Sequence, residues 1–289
     1  RRTSRTRAQE IIRVSAWDDR GRKLRPNDRV FAEQKVLLWR PAWDETPVPR
    51  EVPVLYEDDH LLAVSKPAGL PVHPTARYHK NTLIVILKSE RPDQWLSLGH
   101  RLDRETSGLL MVTKHPECDR RLKKMLEERD SIQKVYLALT KGAPWPKGHE
   151  FRCDAPLAID PESRLGVKVH VSSAPDAWSA GTVFQVDDVA PRYSKVLCTL
   201  ETGRQHQIRV HLAHLGYPIA GDDKYGDFAL NKALQSAGLK RMFLHAWKMD
   251  FPHPLKDERV ALEAPLPDAL AGFLTRLSAN EEKDYGETF

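Results

Sequence analysis

Short apolar runs separated by turn residues dominate the chain from residue 54 onward. Helical spacing occurs in residues 81–88, in a stretch that begins at Pro116, and in residues 267–277. Strands therefore outnumber helices, and the hairpin-length spacing between them predicts an α+β fold with a mostly antiparallel sheet and flanking helices. The predicted strands lie at residues 54–56, 61–64, 109–112, 134–140, 181–189, 193–201 and 242–251.

A different pattern occupies the first 40 residues. Residues 4–13 place Ala8, Ile11 and Ile12 on one face of a helix and leave Arg5 and Arg7 to solvent. Turn residues and then a β-branched, aromatic stretch follow, which together predict a small α/β unit. The predicted organisation is a unit at residues 1–40, a proline-rich linker at 41–53, a main domain at 54–277 and a disordered polar tail at 278–289.

Charge also separates the two parts of the chain. The first 50 residues hold thirteen Lys and Arg against seven Asp and Glu, an excess larger than the net charge of +5 of the whole chain. This excess permits a phosphate-rich partner, and a solvated, partly disordered arm would have the same composition. Cys118, Cys153 and Cys198 match no metal motif and suit a reducing cytoplasm as buried free thiols. Neither a secretory signal nor the roughly 18 apolar residues of a membrane span are expected.

The most polar loop precedes one of the predicted core strands. Residues 99–110 read GHRLDRETSGLL, so that Asp103 lies between Arg101 and Arg104 just before an apolar run. A carboxylate beside arginines usually forms a surface ion pair. The bracketing glycines and the direct entry into a core strand instead favour a site residue, either a nucleophile or a general base.

A second polar cluster is TGRQHQIRVHLAHLG, residues 202–216. The spacing of His206, His211 and His214 matches no zinc signature, so we assign no metal to it. After the turn at Gly203, the segment predicts the start of a helix whose amides and cations are available to an anion. An ordinary helix surface would give the same pattern.

Two further stretches contain candidate residues. In the strand predicted at 134–140, Tyr136 shares a face with Lys134 and Ala138, which directs it towards a half-buried or cleft side. The loop VSKPAGLPVHP, residues 64–74, contains Lys66 but neither glycine-rich nucleotide signature. Each stretch taken alone is compatible with a purely structural role.

These stretches occur in an order that resembles the RluA-type pseudouridine synthase family. The resemblance covers residues 52–275 and rests on SKPAGLPVHP, GHRLDRETSGLLMVTK, KVYLAL, ETGRQHQIRVHLAHLGYPIAGDDKYG and FLHAWKMDFPHP. Gln205 stands where the family commonly has threonine, a change that removes no catalytic group. Residues 1–40 are similar to the later part of an S-four-like RNA-binding domain, whereas residues 141–180 match nothing recognisable.

The resemblance implies a mixed, mostly antiparallel sheet with a central active-site cleft. It also implies an enzyme that isomerises uridine to pseudouridine in structured RNA without any cofactor. Asp103 matches the family's essential aspartate, which either attacks C1′ or removes the 2′ proton. Arg204 matches the arginine that pairs with this aspartate, and an opposite charge within ~4–6 Å favours a charged carboxylate. Tyr136 matches the tyrosine that stacks on the uracil and assists proton movement.

The same resemblance implies that the target base leaves the helix stack. Arg101 matches the arginine that fills the vacated space, His100 is expected to shape the loop, and Arg104 is either a phosphate contact or a surface charge. The other expected RNA contacts are Lys66, His206, Arg209, Arg5 and Arg7. The expected partner is ribosomal or transfer RNA, and the protein is expected to act as a monomer in the cytoplasm without a membrane or an obligate protein partner.

Two other classes of function compete with this one. An inactive relative would bind RNA only, but a binding module has no physical need for Asp103, Tyr136 and Arg204 together. A glycosidic-bond hydrolase would need paired carboxylates, and Glu105 falls on the same side of an extended loop as Asp103. Release of free uracil would indicate the hydrolase, and a conversion without change of mass the isomerase.

Overall fold

The computed structural model describes residues 4–39, 44–75, 77–128, 131–142, 145–163, 168–189 and 193–286. The chain divides into two compact units, Arg1–Glu45 and Thr46–Phe289. The division falls inside the predicted linker. Val48 and Val52, in the second half of that linker, pack against the core of the larger unit.

The smaller unit contains one helix and one two-stranded sheet. Helix α1, Arg5–Ser15, begins after Ser4, whose hydroxyl accepts a hydrogen bond from the Arg7 amide at 3.3 Å. Strands β1, Ala16–Asp18, and β2, Val36–Leu38, pair antiparallel. The strand predicted near residues 30–40 is therefore limited to three residues.

The larger unit has twelve strands and five helices among its described residues. Its helices are α2 Leu83–Glu90, α3 Pro116–Glu128, α4 Gln207–His214, α5 Phe228–Ser236 and α6 Asp268–Gly286. Its strands are β3 Val54–Glu57, β4 Leu61–Lys66, β5 Ser97–Leu98, β6 Ser107–Thr113, β7 Gln133–Lys141, β8 Glu150–Cys153, β9 Leu157–Ile159, β10 Val169–Val171, β11 Thr182–Val189, β12 Tyr193–Leu200, β13 Leu244–Pro252 and β14 Arg259–Glu263.

Ten of these strands form one mixed sheet. Its order is β3-β4-β6-β13-β7-β12-β11-β8, with β14 paired to β13 and β5 to β6. Within the described residues, β6 and β13 are the parallel pair and the other pairs are antiparallel. A side chain at Gly108 (φ 112°) would place its Cβ 2.2 Å from the Ala246 carbonyl oxygen, so glycine permits this close crossing. The predicted α+β class and mostly antiparallel sheet are confirmed.

Both faces of strand β7 are covered, because residues 135–139 read VYLAL and successive side chains of a strand point to opposite faces. Tyr136 and Ala138 belong to one core cluster with strands β4 and β6 and helix α2. Leu137 and Leu139 belong to another cluster on the opposite face, together with Phe273 of α6. Tyr136, the candidate site residue of β7, therefore lies on a strand that is packed against the core on both faces.

The structure differs from the sequence-based prediction in three places. No strand was predicted within residues 141–180, but β8, β9 and β10 lie there. β8 pairs with β11, and β9 pairs with β10, although the local pattern of these strands is weak. Helix α5 follows the loop GDDKYG, where no helix was predicted. Helix α6 continues to Gly286, so the predicted tail is helical for most of its length, and residues 287–289 lie outside the described part.

Two smaller expectations concern the thiols and membrane spans. All three cysteines are free and buried, as predicted. Among the described residues, no helix has the length and apolar character needed to cross a membrane.

Candidate active site

An open cleft of about 490 Å³ lies where the loop before β6, strand β7 and the start of α4 meet. The loop presents Asp103, the strand presents Tyr136, and the turn and helix supply the basic side chains. Of the residues predicted from sequence, those that line the cleft are His100, Arg101, Asp103, Arg104, Tyr136, Arg204, His206 and Arg209. Segments more than 100 residues apart in sequence therefore form one site.

Asp103 lies in a short loop that is fixed at both ends. The Thr106 amide donates a hydrogen bond to the Asp103 carbonyl at 3.2 Å, which closes the turn before β6. At the end of the loop, Arg241 donates to the Ser107 hydroxyl at 2.8 Å. That hydroxyl lies 2.9 Å from Nδ1 of buried His245. The carboxylate thus sits on a rigid loop with its side chain 24% exposed to the cleft.

The cation that pairs with Asp103 is Arg209, not Arg204 as the resemblance implied. Nη1 of Arg209 donates to Oδ2 of Asp103 at 3.0 Å. Arg209 lies on α4 and projects inward, where it is only 2% exposed. Sequence reasoning expected Arg209 to contact RNA, whereas its guanidinium is buried behind the loop that carries Asp103.

A second carboxylate holds Arg209 in place. Nε and Nη2 of Arg209 each donate to Asp222 at 2.7 Å, in a bidentate pair that is almost fully buried. The Lys224 and Tyr225 amides donate to Oδ1 of the same aspartate. Burial alone would lower the pKa of Arg209, but the hydrogen bonds and charges of Asp222 and Asp103 raise it above its ordinary value. Arg209 is therefore a permanently charged bridge between the two carboxylates.

Arg204 occupies the turn before α4 and has a different partner. Its Nε donates to the Ser179 carbonyl at 3.0 Å, while its amide donates to the Gln207 side chain. Gln207 in turn donates to the Gly181 carbonyl and the Thr182 hydroxyl, which fixes the turn against β11. Arg204 lines the cleft half-buried, and the ion-pair partners of Asp103 among the described residues are His206 and Arg209.

Lys66 is a structural residue and not an RNA contact. It is 0% exposed, and its Nζ donates to the carbonyls of Pro67, Leu70 and Arg104 at 2.8, 3.0 and 3.1 Å. Burial lowers the pKa of Lys66 to about 7. The three acceptors nevertheless require an ammonium, because a neutral amine cannot donate three hydrogen bonds. Lys66 therefore ties the loop after β4 to the loop that carries Asp103.

The remaining predicted residues of the cleft fall into an outer and an inner set. Arg101 is exposed, and so is Arg104, which contacts Glu105 at 2.6 Å and the Tyr78 hydroxyl at 3.2 Å. His100 accepts a hydrogen bond from the Met111 amide at 3.2 Å, and burial lowers its pKa to about 3. His100 is thus a neutral ring bonded to the backbone of β6, while Arg101 and Arg104 are available at the surface.

His206 lies at the inner end of the cleft. It is 8% exposed and precedes α4 in a left-handed conformation (φ 56°, ψ 16°). Its Nδ1 lies 2.8 Å from the Tyr225 hydroxyl and its Nε2 lies 3.7 Å from Oδ2 of Asp103. Burial lowers the pKa of His206 to about 4, so the ring is neutral at physiological pH. A direct phosphate contact, as expected from sequence, does not fit a neutral ring in this position.

Tyr136 lines the same cleft from strand β7 and is 7% exposed. Burial and then the negative charge of Asp103 raise its pKa above the ordinary value of a tyrosine. The phenol therefore keeps its proton, and the residue offers an aromatic ring and a hydroxyl donor beside the aspartate.

Two of the three histidines in residues 202–216 have protein partners at their ring nitrogens. His206 contacts Tyr225, whereas His211 lies against Thr182 and the Ala155 carbonyl. A separate group in the described residues consists of Asp58, His253 and Glu258.

The chemistry of this separate group also disfavours a metal. Nδ1 of His253 accepts two backbone hydrogen bonds, so Nε2 carries the ring proton beside Asp58. Nζ of Lys256 already lies 2.6 Å from the same carboxylate. A proton and an ammonium therefore occupy the positions that a cation would need.

Arg5 and Arg7 belong to the smaller unit, where both are exposed on α1. The residues that sequence reasoning missed are Asp222 and Tyr225, which lie in GDDKYG, residues 221–226. A glycine-bracketed loop with two acids and a tyrosine directly after the basic motif was the available signal.

Comparisons with known proteins identify the family of the chain. The family model described as RNA pseudouridylate synthase matches residues 60–214, more than half of the chain. Ribosomal large subunit pseudouridine synthase C of Haemophilus ducreyi is 38% identical over 229 residues, which cover 79% of this chain and 70% of that protein. Ribosomal large subunit pseudouridine synthase D of Xanthomonas campestris pv. campestris is 35% identical over 288 residues, which cover 95% and 85%.

Solved structures show the same fold. Human RNA pseudouridylate synthase domain containing 4 superposes with a TM-score of 0.63 at 26% identity and covers 78% of this chain and 93% of that one. Human RNA pseudouridylate synthase domain containing 1 superposes with a TM-score of 0.64 at 24% identity and covers 79% and 90%. The chain therefore belongs to the RNA pseudouridylate synthase family and is an enzyme that isomerises uridine to pseudouridine in RNA.

Proposed function

We propose that this enzyme modifies specific uridines of large-subunit ribosomal RNA and that Asp103 is its catalytic carboxylate. The bacterial relatives named above are ribosomal large subunit enzymes, which supports this choice over transfer RNA. The observation that carries the catalytic assignment is the pair of Asp103 and Arg209 at 3.0 Å, inside a cleft that also contains Tyr136.

The proposed reaction begins with extrusion of the target nucleotide into the cleft. Arg101 is exposed at the cleft and fills the space that the base leaves in the RNA. Both chemical routes, attack on C1′ and removal of the 2′ proton, require a carboxylate oxygen directed at the sugar. Arg209 holds that carboxylate in place from behind, and the neutral phenol of Tyr136 stacks on the uracil.

The competing hydrolase reading has less support. A hydrolase needs a second carboxylate to act with Asp103, but Glu105 pairs with Arg104 at 2.6 Å and is not among the residues that line the cleft. The smaller N-terminal unit acts in this proposal as an S-four-like RNA-binding element, with Arg5 and Arg7 exposed for phosphates. The enzyme acts as a monomer in the cytoplasm.

The test uses ribosomal RNA from a strain that lacks the gene. The RNA is incubated with wild-type protein, Asp103→Asn or Asp223→Asn, and pseudouridine is mapped by carbodiimide modification. New pseudouridine at a defined site is expected with the wild type and with Asp223→Asn, whose carboxylate is largely exposed, and none with Asp103→Asn. Free uracil would overturn the isomerase, and activity in Asp103→Asn would overturn the role of Asp103.

A further inference from the structure

The hydroxyl of Tyr225 connects a small hairpin with the catalytic site. The amide of Val169, on strand β10, donates to this hydroxyl at 2.9 Å. The same oxygen lies 2.8 Å from Nδ1 of His206. Strands β9 and β10, in the segment that matched nothing recognisable, therefore reach His206 through one side chain.

These contacts favour one of the two ring nitrogens of His206 as the site of its proton. The Tyr225 oxygen already accepts from Val169, so its own proton needs an acceptor, and Nδ1 of His206 lies within reach. With Nδ1 as the acceptor, Nε2 carries the hydrogen. That hydrogen then faces the carboxylate of Asp103, whereas the other tautomer would direct a lone pair at a negative charge.

Two donors therefore approach the same oxygen of Asp103. Nη1 of Arg209 lies 3.0 Å and Nε2 of His206 lies 3.7 Å from Oδ2. Among the described residues, none of the side-chain hydrogen bonds or ion pairs of Asp103 involves Oδ1. The two carboxylate oxygens of Asp103 therefore differ: Oδ2 faces Arg209 and His206, and Oδ1 has no such partner among the described residues.

We propose that His206 is a positioning residue that Tyr225 holds in the Nε2–H tautomer, so that His206 and Arg209 together fix Oδ2 and present Oδ1 of Asp103 to the target nucleotide. This inference rests on the proposed role of Asp103. It replaces the expected RNA contact of His206 with a role inside the site.

The backbone at His206 agrees with this assignment. A left-handed conformation is uncommon for residues other than glycine, and asparagine, aspartate and histidine are the side chains enriched there; His206 adopts it at φ 56°. The buried ring, which lies between Tyr225 and Asp103, gives a reason why the fold retains a histidine there.

Two substitutions separate the two ring nitrogens. His206→Asn keeps a polar group near the position of Nδ1 and loses the contact with Asp103. His206→Gln reaches the position of Nε2 with an amide donor. Asparagine tolerates the left-handed backbone better than glutamine, so a folding defect would penalise the two variants in the opposite order to the proposal.

The expected result is a single-turnover rate on saturating ribosomal RNA that falls on the order of 10- to 100-fold in His206→Asn. His206→Gln is expected to recover most of this loss, and RNA affinity stays unchanged in both. His214→Asn, at an exposed position on the same helix, serves as the control with the wild-type rate. A rate in His206→Asn equal to or above that of His206→Gln, while Asp103→Asn is inactive, would overturn this inference and leave the role of Asp103 intact.

The tautomer of His206 can be measured directly. If His206 had only a structural role, neither tautomer would be required. In ¹⁵N spectra of the imidazoles, the His206 signal, assigned by its loss in His206→Asn, is expected to show Nε2 protonated. Tyr225→Phe removes the donor to Nδ1 and is expected to shift the proton towards Nδ1 and to slow turnover. An Nδ1–H tautomer in the wild type would contradict the proposal.

Discussion

Arg209 donates a hydrogen bond of 3.0 Å to Oδ2 of Asp103, although 106 positions separate the two residues in sequence. Nε and Nη2 of the same guanidinium each donate to Asp222 at 2.7 Å. One buried arginine therefore links a structural carboxylate with the proposed catalytic one, and the consequences for stability and for activity are separable.

Arg209→Met is expected to lose both stability and activity. The substitution leaves Asp222 as an unpaired buried charge, which costs about 3–5 kcal/mol. In the double variant Arg209→Met/Asp222→Leu both charges are gone, so most of the stability is expected to return while activity stays lost. Urea denaturation and single-turnover assays measure the two properties. Full activity in the double variant would show that Asp103 does not need this pair.

Asp222 is expected to make the free energy of unfolding depend on pH in the acidic range. Burial alone would raise its pKa, but hydrogen bonds and charge from Arg209 and the amides of Lys224 and Tyr225 bring it below the ordinary value of 3.8. Because the folded pKa is the lower one, this stabilisation is complete above about pH 4 and is lost as the pH falls further.

The measurement is the free energy of unfolding of wild type and Asp222→Asn from about pH 6 to about pH 3. The difference between the two proteins should be largest at the upper end and shrink below about pH 4. Asp223→Asn, which changes an exposed carboxylate 3.6 Å from the same arginine, is the matched control with little change. A difference that grows with acid would mean that the folded pKa is raised instead.

Lys66→Met is expected to disturb the catalytic loop without weakening RNA binding. The substitution removes the donor to the Pro67 and Leu70 carbonyls, and each buried unsatisfied acceptor costs ~1–3 kcal/mol. The Arg104 carbonyl loses one of its two donors and keeps the Gly69 amide at 2.8 Å. We expect a loss of stability of at least about 2 kcal/mol and a lower turnover rate at saturating RNA. RNA affinity measured across salt concentrations checks the alternative, since a lost phosphate contact would make the salt dependence less steep.

Arg5 and Arg7 are expected to contribute to RNA affinity through charge alone. Replacing both by glutamine should make the slope of log K against log salt concentration less steep by roughly 1–2, because fewer counterions are released. Both side chains are exposed on α1, so the thermal stability should not change. Arg5→Lys/Arg7→Lys keeps the charges and is expected to keep the slope. An unchanged slope in the glutamine variant would remove these residues from the RNA interface.

The fold class could be predicted from local patterns of the sequence, and the candidate site residues from polar motifs together with the family resemblance. Short apolar runs define strands such as β7, and the polar loop ahead of β6 marks the position of Asp103. Eight of the predicted site residues line one cleft. The N-terminal unit as an RNA-binding element stays a prediction.

The sequence alone determined which side chains are present near the chemistry, whereas the tertiary structure decided what each of them does. Arg204 and Arg209 lie in the same motif, and only the direction of α4 buries Arg209 against Asp103 and leaves Arg204 beside Ser179. Lys66 is a cation in a polar loop by sequence, and the fold surrounds it with three carbonyls. Partners of this kind come from segments distant in the chain, so no local pattern contains them.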